Sequence, residues 1–326
     1  MRVGPTGRRP AAGVGGRYRD IRVRNMKIAF HVHPTRLHWK AAAPTLAEQE
    51  QLFGWVSRQG FDGVDISDSW PFDTLDQAGA SRTRALAADH GLAVATVSGM
   101  GKTLCHPELG ERNLQALERA LDTAGWLDAQ VLNVALAVPR TPGVTPVMGA
   151  AHSPGGSLGA SDGDFAITAQ RLRRLARMGR ERGMSLSIEM HDRSLADTST
   201  ALLRILDEVG EPNVGANPDL CNGYRAYAVP PESWADALRR LAPRTNLWHV
   251  NNLQRVYFPE IERAAFVERP LGEGDIDYRL AVKMMQAAGF TGWTVIEYKG
   301  AGDAFETLAQ GQRYFRQITR PGDTAA

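Results

Sequence analysis

Four short stretches of this chain end an apolar run on ionisable side chains. Ser185-Leu-Ser-Ile-Glu189-Met-His191-Asp192 places three such groups within four residues. Asn217-Pro-Asp219-Leu-Cys-Asn222, Trp248-His249-Val-Asn251-Asn252 and Val295-Ile-Glu297-Tyr298 follow the same plan. Any one of these residues reads equally well as a buried polar group satisfied by its own hydrogen bonds. Taken together, Glu189, Asp219, His249 and Glu297 read as metal ligands, because burying several carboxylates without a cation is very costly. Two glutamates, an aspartate and one imidazole form an oxygen-rich donor set. It suits Mn²⁺ first, with Mg²⁺, Co²⁺ and Zn²⁺ as alternatives, and it does not suit a thiolate-loving metal. A divalent ion held there polarises a carbonyl and lowers the pKa of the neighbouring C–H. A general base can then remove that proton to give an enediolate. Reprotonation at the other carbon or the other face gives isomerisation or epimerisation, and loss of a β-substituent makes the reaction an elimination.

His191 is the candidate base. Strand alternation sets it on the same side as Glu189, facing the site, and an imidazole shuttles protons near neutral pH. The bland alternative is a histidine that only orients a ligand. Further candidates for substrate contact stand at other strand ends: His33 after the first, Trp70 after the second and His106 after the third. An aromatic ring such as that of Trp70 can stack on a sugar face.

These groups meet only if the strands that carry them are neighbours. From Met26 onward, short apolar runs alternate with amphipathic stretches. Strands are expected at Lys27–Val32, Gly63–Ser67, Leu92–Ser98, Val131–Ala137, Ser185–Met190, Asn213–Asn217, Asn246–Val250 and Trp293–Tyr298, as continuous apolar runs of strands buried on both faces. Helices are expected at Leu46–Val56, Ser81–Ala88, Leu114–Leu127, Ala166–Arg182, Ser233–Leu241, Tyr278–Ala288 and Phe305–Ile318. One more, around Leu202–Val209, is expected to start from an N-cap at Asp197. Gly60, Gly91, Gly183 and Gly289 each follow a helix as stop signals. Eight βα units in strict alternation predict a single α/β domain, a closed (β/α)₈ barrel, which typically needs about 250 residues. No GxGxxG follows the first strand, as a dinucleotide-binding sheet would require. Two long connections, Pro139–Asp164 and Arg255–Leu271, follow strands four and seven. Both fall at the C-terminal face of the barrel, where sites of this fold are built. The first is dense in Gly, Pro, Ala and Ser and reads as a lid or as disorder.

Composition narrows the function. The net charge of +2 hides a division, since residues 1–25 hold seven arginines against one acid, a local +6 that leaves −4 for the body. An acidic body argues against nucleic-acid binding, which needs a clustered basic face. Residues 1–25 read as a disordered tail or a mis-assigned start, 26–320 as the catalytic barrel and 321–326 as a flexible end. No apolar run reaches the ~20 residues of a membrane span, and the tail lacks the core of a signal peptide, so a cytoplasmic enzyme is expected. Cys105 and Cys221 make no CxxC pair and no disulfide framework.

Ile-Glu189, Asp219, His249-Val250, Ile-Glu297-Tyr and Leu271-Gly-Glu-Gly-Asp-Ile-Asp-Tyr278 together resemble the xylose-isomerase-like barrel superfamily over residues 26–320. That superfamily includes sugar isomerases and epimerases, inosose dehydratases and endonuclease IV. The resemblance implies a Glu–Asp–His–Glu metal site on Glu189, Asp219, His249 and Glu297, and an acid/base pair made of Glu189 and Glu297. Arg255, six residues after His249, is placed like the substrate-binding arginine of the tagatose epimerases. Epimerases often carry a histidine three residues after the aspartate ligand; here Asn222 can bond a substrate hydroxyl but cannot exchange protons. Glu189-x-His191-Asp192 with Asn-Pro-Asp219-x-x-Asn222 also resembles the catalytic subunits of C-deglycosidases. These eliminate from 3-oxo-glycosides and associate with a small β-rich partner subunit. The expectation is a sugar isomerase or epimerase, with a lyase as the alternative and a homo-oligomer or β-rich partner as the possible assembly. A DNA-repair endonuclease would want a three-metal cluster with more histidines, and a non-catalytic subunit would be expected to have lost ligands.

Overall fold

The computed structural model describes residues 26–33, 43–67, 70, 74–136, 156–225 and 230–320. Its first half runs β1 (Lys27–His31), α1 (Leu46–Arg58), β2 (Gly63–Ser67), α2 (Gln77–Asp89), β3 (Ala93–Lys102), α3 (Gly110–Trp126) and β4 (Val131–Leu136). The second half continues with α4 (Asp162–Glu181), β5 (Ser185–Glu189), α5 (Ser199–Val209), β6 (Val214–Asn217), α6 (Trp234–Leu241) and β7 (Leu247–Val250). It ends with β8 (Asn252–Phe258), β9 (Arg263–Arg269), α7 (Tyr278–Ala287), β10 (Trp293–Ile296) and α8 (Ala304–Thr319). Eight parallel strands lie in the order β6-β5-β4-β3-β2-β1-β10-β7. This is the expected (β/α)₈ barrel.

The ring closes between β6 and β7 with little backbone pairing. One parallel bridge joins Ala216 to Thr245, and Asn246 N–H donates to Ala216 O at 3.2 Å. Side chains supply the rest. Asn217 Oδ1 accepts from His249 N–H at 2.7 Å, and Asn246 Nδ2 reaches Leu186 O at 2.8 Å. Gly215 makes room for that reach, because a Cβ there would stand 2.5 Å from Asn246 Cγ.

Alternation along each strand sorts the interior. Phe30 points outward against Trp55 of α1 and Phe305 of α8. Ala29, Ala95, Val131, Leu247, Trp293 and Val295 form their own cluster, apart from the larger strand–helix core. Above that apolar plug the buried side chains turn polar: His31, Asp65, Ser98, Asn133, Glu189, Asn217, His249 and Glu297. The site is the upper floor of the barrel interior.

Several boundaries differ from expectation. Helices α2, α3 and α4 begin at Gln77, Gly110 and Asp162, one turn before Ser81, Leu114 and Ala166. Apart from Phe165 of α4, their first turns are polar or small, so apolar periodicity registers weakly there. Caps start two of them: Asp76 accepts from Gly79 N–H, and Ser161 forms a capping box with Asp164. The cap of α5 is Thr198 and not Asp197, since the Thr198 hydroxyl accepts from Ala201 N–H. Asp197 instead accepts from Ser157 N–H at 3.2 Å. Gly60, Gly91, Gly183 and Gly289 do stop their helices at positive φ. The long connection after β7 is an antiparallel hairpin, β8 paired with β9. Of the connection after β4, residues 139–155 lie outside the described residues; Ser157–Gly159 form a 3₁₀ turn, and α4 has begun by Asp162. The expected terminal segments 1–25 and 321–326 also lie outside the described residues. Among the described residues, no helix is long and apolar enough to cross a membrane, and both cysteines are buried and outside any disulfide.

Candidate metal centre

Glu189 ends β5, and Asn amides on both sides fix its carboxylate. Asn133 of β4 donates to Oε2 at 2.7 Å, and Asn222 donates to Oε1 at 3.1 Å. Asp219 follows β6, where Oδ1 accepts from the backbone N–H of Cys221 and Asn222 and Oδ2 from Asn251 Nδ2 at 3.0 Å. His249 on β7 faces inward and is wholly buried. Glu297, one residue past β10, accepts from Asn251 at 3.3 Å and pairs with Lys299 Nζ at 3.1 Å. Glu189, Asp219 and His249 bring one ligand atom each to within 4.8 Å of one another. Glu297 Oε1 joins them 2.8 Å from His249 Nδ1. Three of the four expected ligands therefore share one cluster, and Glu297, grouped with His31 and Asp65, borders it through His249.

The arrangement fits a cation. Neither His249 ring nitrogen makes a hydrogen bond of acceptable geometry, although Nδ1 stands 2.8 Å from Glu297 and 3.5 Å from Glu189. A buried polar group without a partner is rare enough to need an explanation. Here two nitrogens without hydrogen bonds sit among carboxylates whose other lone pairs are already tied to amide donors, a donor set that suits a cation. Burial pulls the His249 pKa down, but the Glu297 and Glu189 carboxylates outweigh it and push it up to about 10. Burial, and then the charge of Glu297, raise Asp219 to about 6. Glu297 moves the other way: burial opposes its charge, while Lys299, His31 and His249 together hold it well below the carboxylate range. The cluster retains a proton on an imidazole to balance its anions, and a divalent ion can take that place.

A second trio shares Glu297. His31, at the end of β1, holds Asp65 of β2 through Nδ1–Oδ2 at 2.5 Å and lies 3.7 Å from Glu297 Oε1. Ser98 of β3 donates to Asp65 Oδ1 at 2.9 Å. His33 stacks on His31 with ring centroids 5.8 Å apart.

The loop after β5 carries His191. It curls back so that His191 N–H donates to Ala196 O at 3.2 Å, with Arg193 at φ +52° in the turn. That conformation costs a non-glycine residue about 1 kcal/mol or more. His191 Nδ1 lies 3.3 Å from the Asp192 carbonyl, its hydrogen-bond partner, and 2.9 Å from the Asp192 carboxylate. Burial opposes its protonated form, yet Asp192 and Glu189 leave its pKa raised.

The remaining expected residues divide. Asn222 is beside the site, but its amide donates to Glu189 and to Met190 O while its oxygen accepts from Arg225, so it acts as a bracket for Glu189. Arg255 lies half-buried on β8, its backbone N–H on Asp275 Oδ2 at 2.8 Å. Trp70 is 1% exposed and stacks on Phe53 of α1, in the core. His106 opens α3: its Nδ1 accepts from Glu108 and Leu109 N–H, both at 3.1 Å.

Five participants escaped the sequence reading of the site: Asp65, Lys299, Arg225, Asn133 and Asn251. Lys299 carries a readable signal, standing two residues after Glu297. Arg225 ties Asn222 and Asn251 to Glu268 of β9, the last at 2.8 Å. The Leu271–Tyr278 segment also gains a role. Asn252 binds Leu271 O and Ile276 O, and Tyr278 OH donates to Asn251 O at 2.8 Å. The segment thus braces the strand end that holds His249.

A family model, described as xylose isomerase-like TIM barrel, matches residues 53–318. The chain belongs to that family. Among solved structures, it is similar to a xylose isomerase-like TIM barrel protein from Mycobacterium smegmatis in complex with magnesium, at 23% identity and TM-score 0.76, over 92% of this chain and 98% of that one. It is also similar to a 3-keto-D-glucoside 4-epimerase from E. coli, at 19% identity and TM-score 0.64, over 89% and 99% of the two chains. An inosose dehydratase from Erwinia tasmaniensis is 24% identical over 169 residues, which is 48% of this chain and 56% of that relative's length.

Proposed function

We propose that this xylose isomerase-like barrel is a divalent-metal-dependent enzyme that removes a proton next to the carbonyl of a sugar or keto-sugar, acting as an isomerase or epimerase. The observation that carries the proposal is His249, buried with both ring nitrogens free of hydrogen bonds among Glu189, Asp219 and Glu297. These four residues would hold the ion, Mn²⁺ by preference with Mg²⁺, Co²⁺ and Zn²⁺ as alternatives, and the magnesium in the Mycobacterium smegmatis structure supports a hard cation. When bound, such an ion supplies Lewis acidity that polarises the substrate carbonyl and acidifies the adjacent C–H.

The chain's own groups then handle the proton. Asp192 accepts from His191 Nδ1–H, a tautomer assigned from the hydrogen-bond network, which leaves Nε2 as the base. Glu189 and Glu297 are the further acid/base candidates. Arg255, His33, Asn222, Trp70 and His106 remain the proposed substrate contacts, and the geometry favours His33 among them because it stacks on His31 beside Glu297.

A lyase is the second reading. It is favoured by Asn222, which cannot return a proton, and by the likeness to an inosose dehydratase. A C-deglycosidase-type elimination from a 3-oxo-glycoside, with a β-rich partner, belongs to the same reading. The test is incubation in D₂O with D-fructose, a methyl 3-keto-D-glucoside and an inosose, with added Mn²⁺ or with chelator. Deuterium at the carbon beside the carbonyl, dependent on the ion, is expected. Conversion that a chelator leaves unchanged, or no incorporation from any of the three, overturns the proposal.

A further inference from the structure

Two buried histidines at the mouth of the barrel have an aspartate against Nδ1. His191 follows β5 and lies against Asp192. His31 ends β1 and is bonded to Asp65. In the ring of strands, closed by the Ala216–Thr245 bridge, β1 and β5 are four strands apart by either path. The two imidazoles therefore stand on opposite walls, with the four candidate ligands between them: His191 two residues past Glu189, and His31 3.7 Å from Glu297 with its ring 6.0 Å from that of His249.

Their tautomers match. The Asp192 carbonyl and the Asp65 carboxylate only accept, so each Nδ1 carries the hydrogen and each Nε2 is left as the working atom. Asp65 is itself held by Ser98, and through Ser98 by Asn133 of β4, so the His31 ring is fixed from three strands. The inward turn of Asp65 has no packing rationale. Val64 and Ile66 serve the core on the outer face, while Asp65 is wholly buried on the inner one.

We propose that His31, oriented by Asp65, is a second proton-transfer residue that works on the face of the substrate opposite His191. This rests on the proton-abstraction reading above and extends it to a two-base inversion. In one direction the His191 imidazole takes the proton from the C–H beside the carbonyl, and the C–H electron pair moves to the carbonyl oxygen. The pair returns to carbon as the His31 imidazolium delivers a proton to the opposite face. The product has the composition of the substrate with one centre inverted. The two imidazoles finish with protonation exchanged, and solvent restores them. In the reverse direction the roles swap. Such a pair makes an epimerase of a site whose Asn222 cannot carry protons.

The experiment compares wild type, His31→Asn, Asp65→Asn and His191→Asn, each loaded with Mn²⁺, on the same three probes in D₂O, with metal content measured alongside. His31→Asn is expected to keep its metal and lose epimer interconversion by at least about 100-fold, the lower end of what an acid/base residue contributes. It should still exchange deuterium into one epimer with retention. His191→Asn should show the mirror pattern, and Asp65→Asn should follow His31→Asn. Interconversion within about threefold of wild type in His31→Asn overturns the proposal. So does parallel loss of metal in both His31→Asn and Asp65→Asn, which would make the dyad a support for the ion. A wild type that eliminates without ever inverting a centre overturns it while leaving proton abstraction standing. No incorporation by wild type from any probe overturns both.

Discussion

The two clusters at the barrel mouth use the same residue types and differ in where their hydrogen bonds go. In Glu189, Asp219 and His249, amide donors from Asn133, Asn222 and Asn251 grip the carboxylates, and the imidazole makes no hydrogen bond of acceptable geometry, its Nδ1 standing 2.8 Å from Glu297. In His31 and Asp65 the imidazole and the carboxylate satisfy each other at 2.5 Å. The first cluster is left with lone pairs pointed at one another, which only a cation or a proton can relieve. The second is electrically closed and acts as one oriented imidazole. A count of ionisable residues would rate them equal; the bonding separates a place to hold an ion from a place to hold a proton.

This contrast can be broken most easily through the donors. Asn133→Ala removes the 2.7 Å bond to Glu189 and is expected to weaken Mn²⁺ binding by about 10–100-fold, measured by calorimetric titration. Ser98→Ala acts on Asp65 and should leave that affinity within about twofold. Equal losses in the two variants would mean that the clusters work as one.

A smaller effect sharpens the contrast through pH. In protein stripped of divalent ions, His249 has its pKa raised from 6.5 to about 10. Between those values the native state holds more protons than the unfolded chain, so stability falls as pH rises. Asp219, raised from 3.8 to about 6, makes the same kind of contribution at lower pH, below that window. Thermal midpoints of the stripped protein should decline from about pH 7 to about pH 9, and saturating Mn²⁺ or His249→Gln should make the decline shallower, leaving the part that the raised His31 and His191 contribute. An identical slope with and without the ion would contradict the assignment of His249.

Much of this was legible in the sequence, for a definite reason. Glu189, Asp219, His249 and Glu297 stand out because each closes an otherwise apolar strand, and consecutive strands of a barrel must be neighbours. Asp65 does not stand out in that way. It lies inside β2, and only the β1–β2 register, which sets His31 against Asp65, gives it a partner. Asn133 is hidden likewise, since its meaning depends on pairing between β4 and β5. The β8–β9 hairpin was missed because residues of both alternating sets are exposed, including Val256, Tyr257 and Phe258, so the stretch lacks the one-sided burial that marks a strand. Trp70 and His106 have partners that the sequence does not show: Trp70 stacks on Phe53, and His106 accepts from the backbone at the start of α3.

The central claim is that four residues from successive elements of one barrel hold a single divalent ion, and its most direct test is metal content. Wild type and Glu297→Gln, which keeps the shape and removes one negative charge, are incubated with Mn²⁺, freed of unbound ion and analysed. The account predicts about one ion per wild-type chain and a large loss in the variant. A wild type that takes up no ion, or a variant that holds it as firmly, would contradict it.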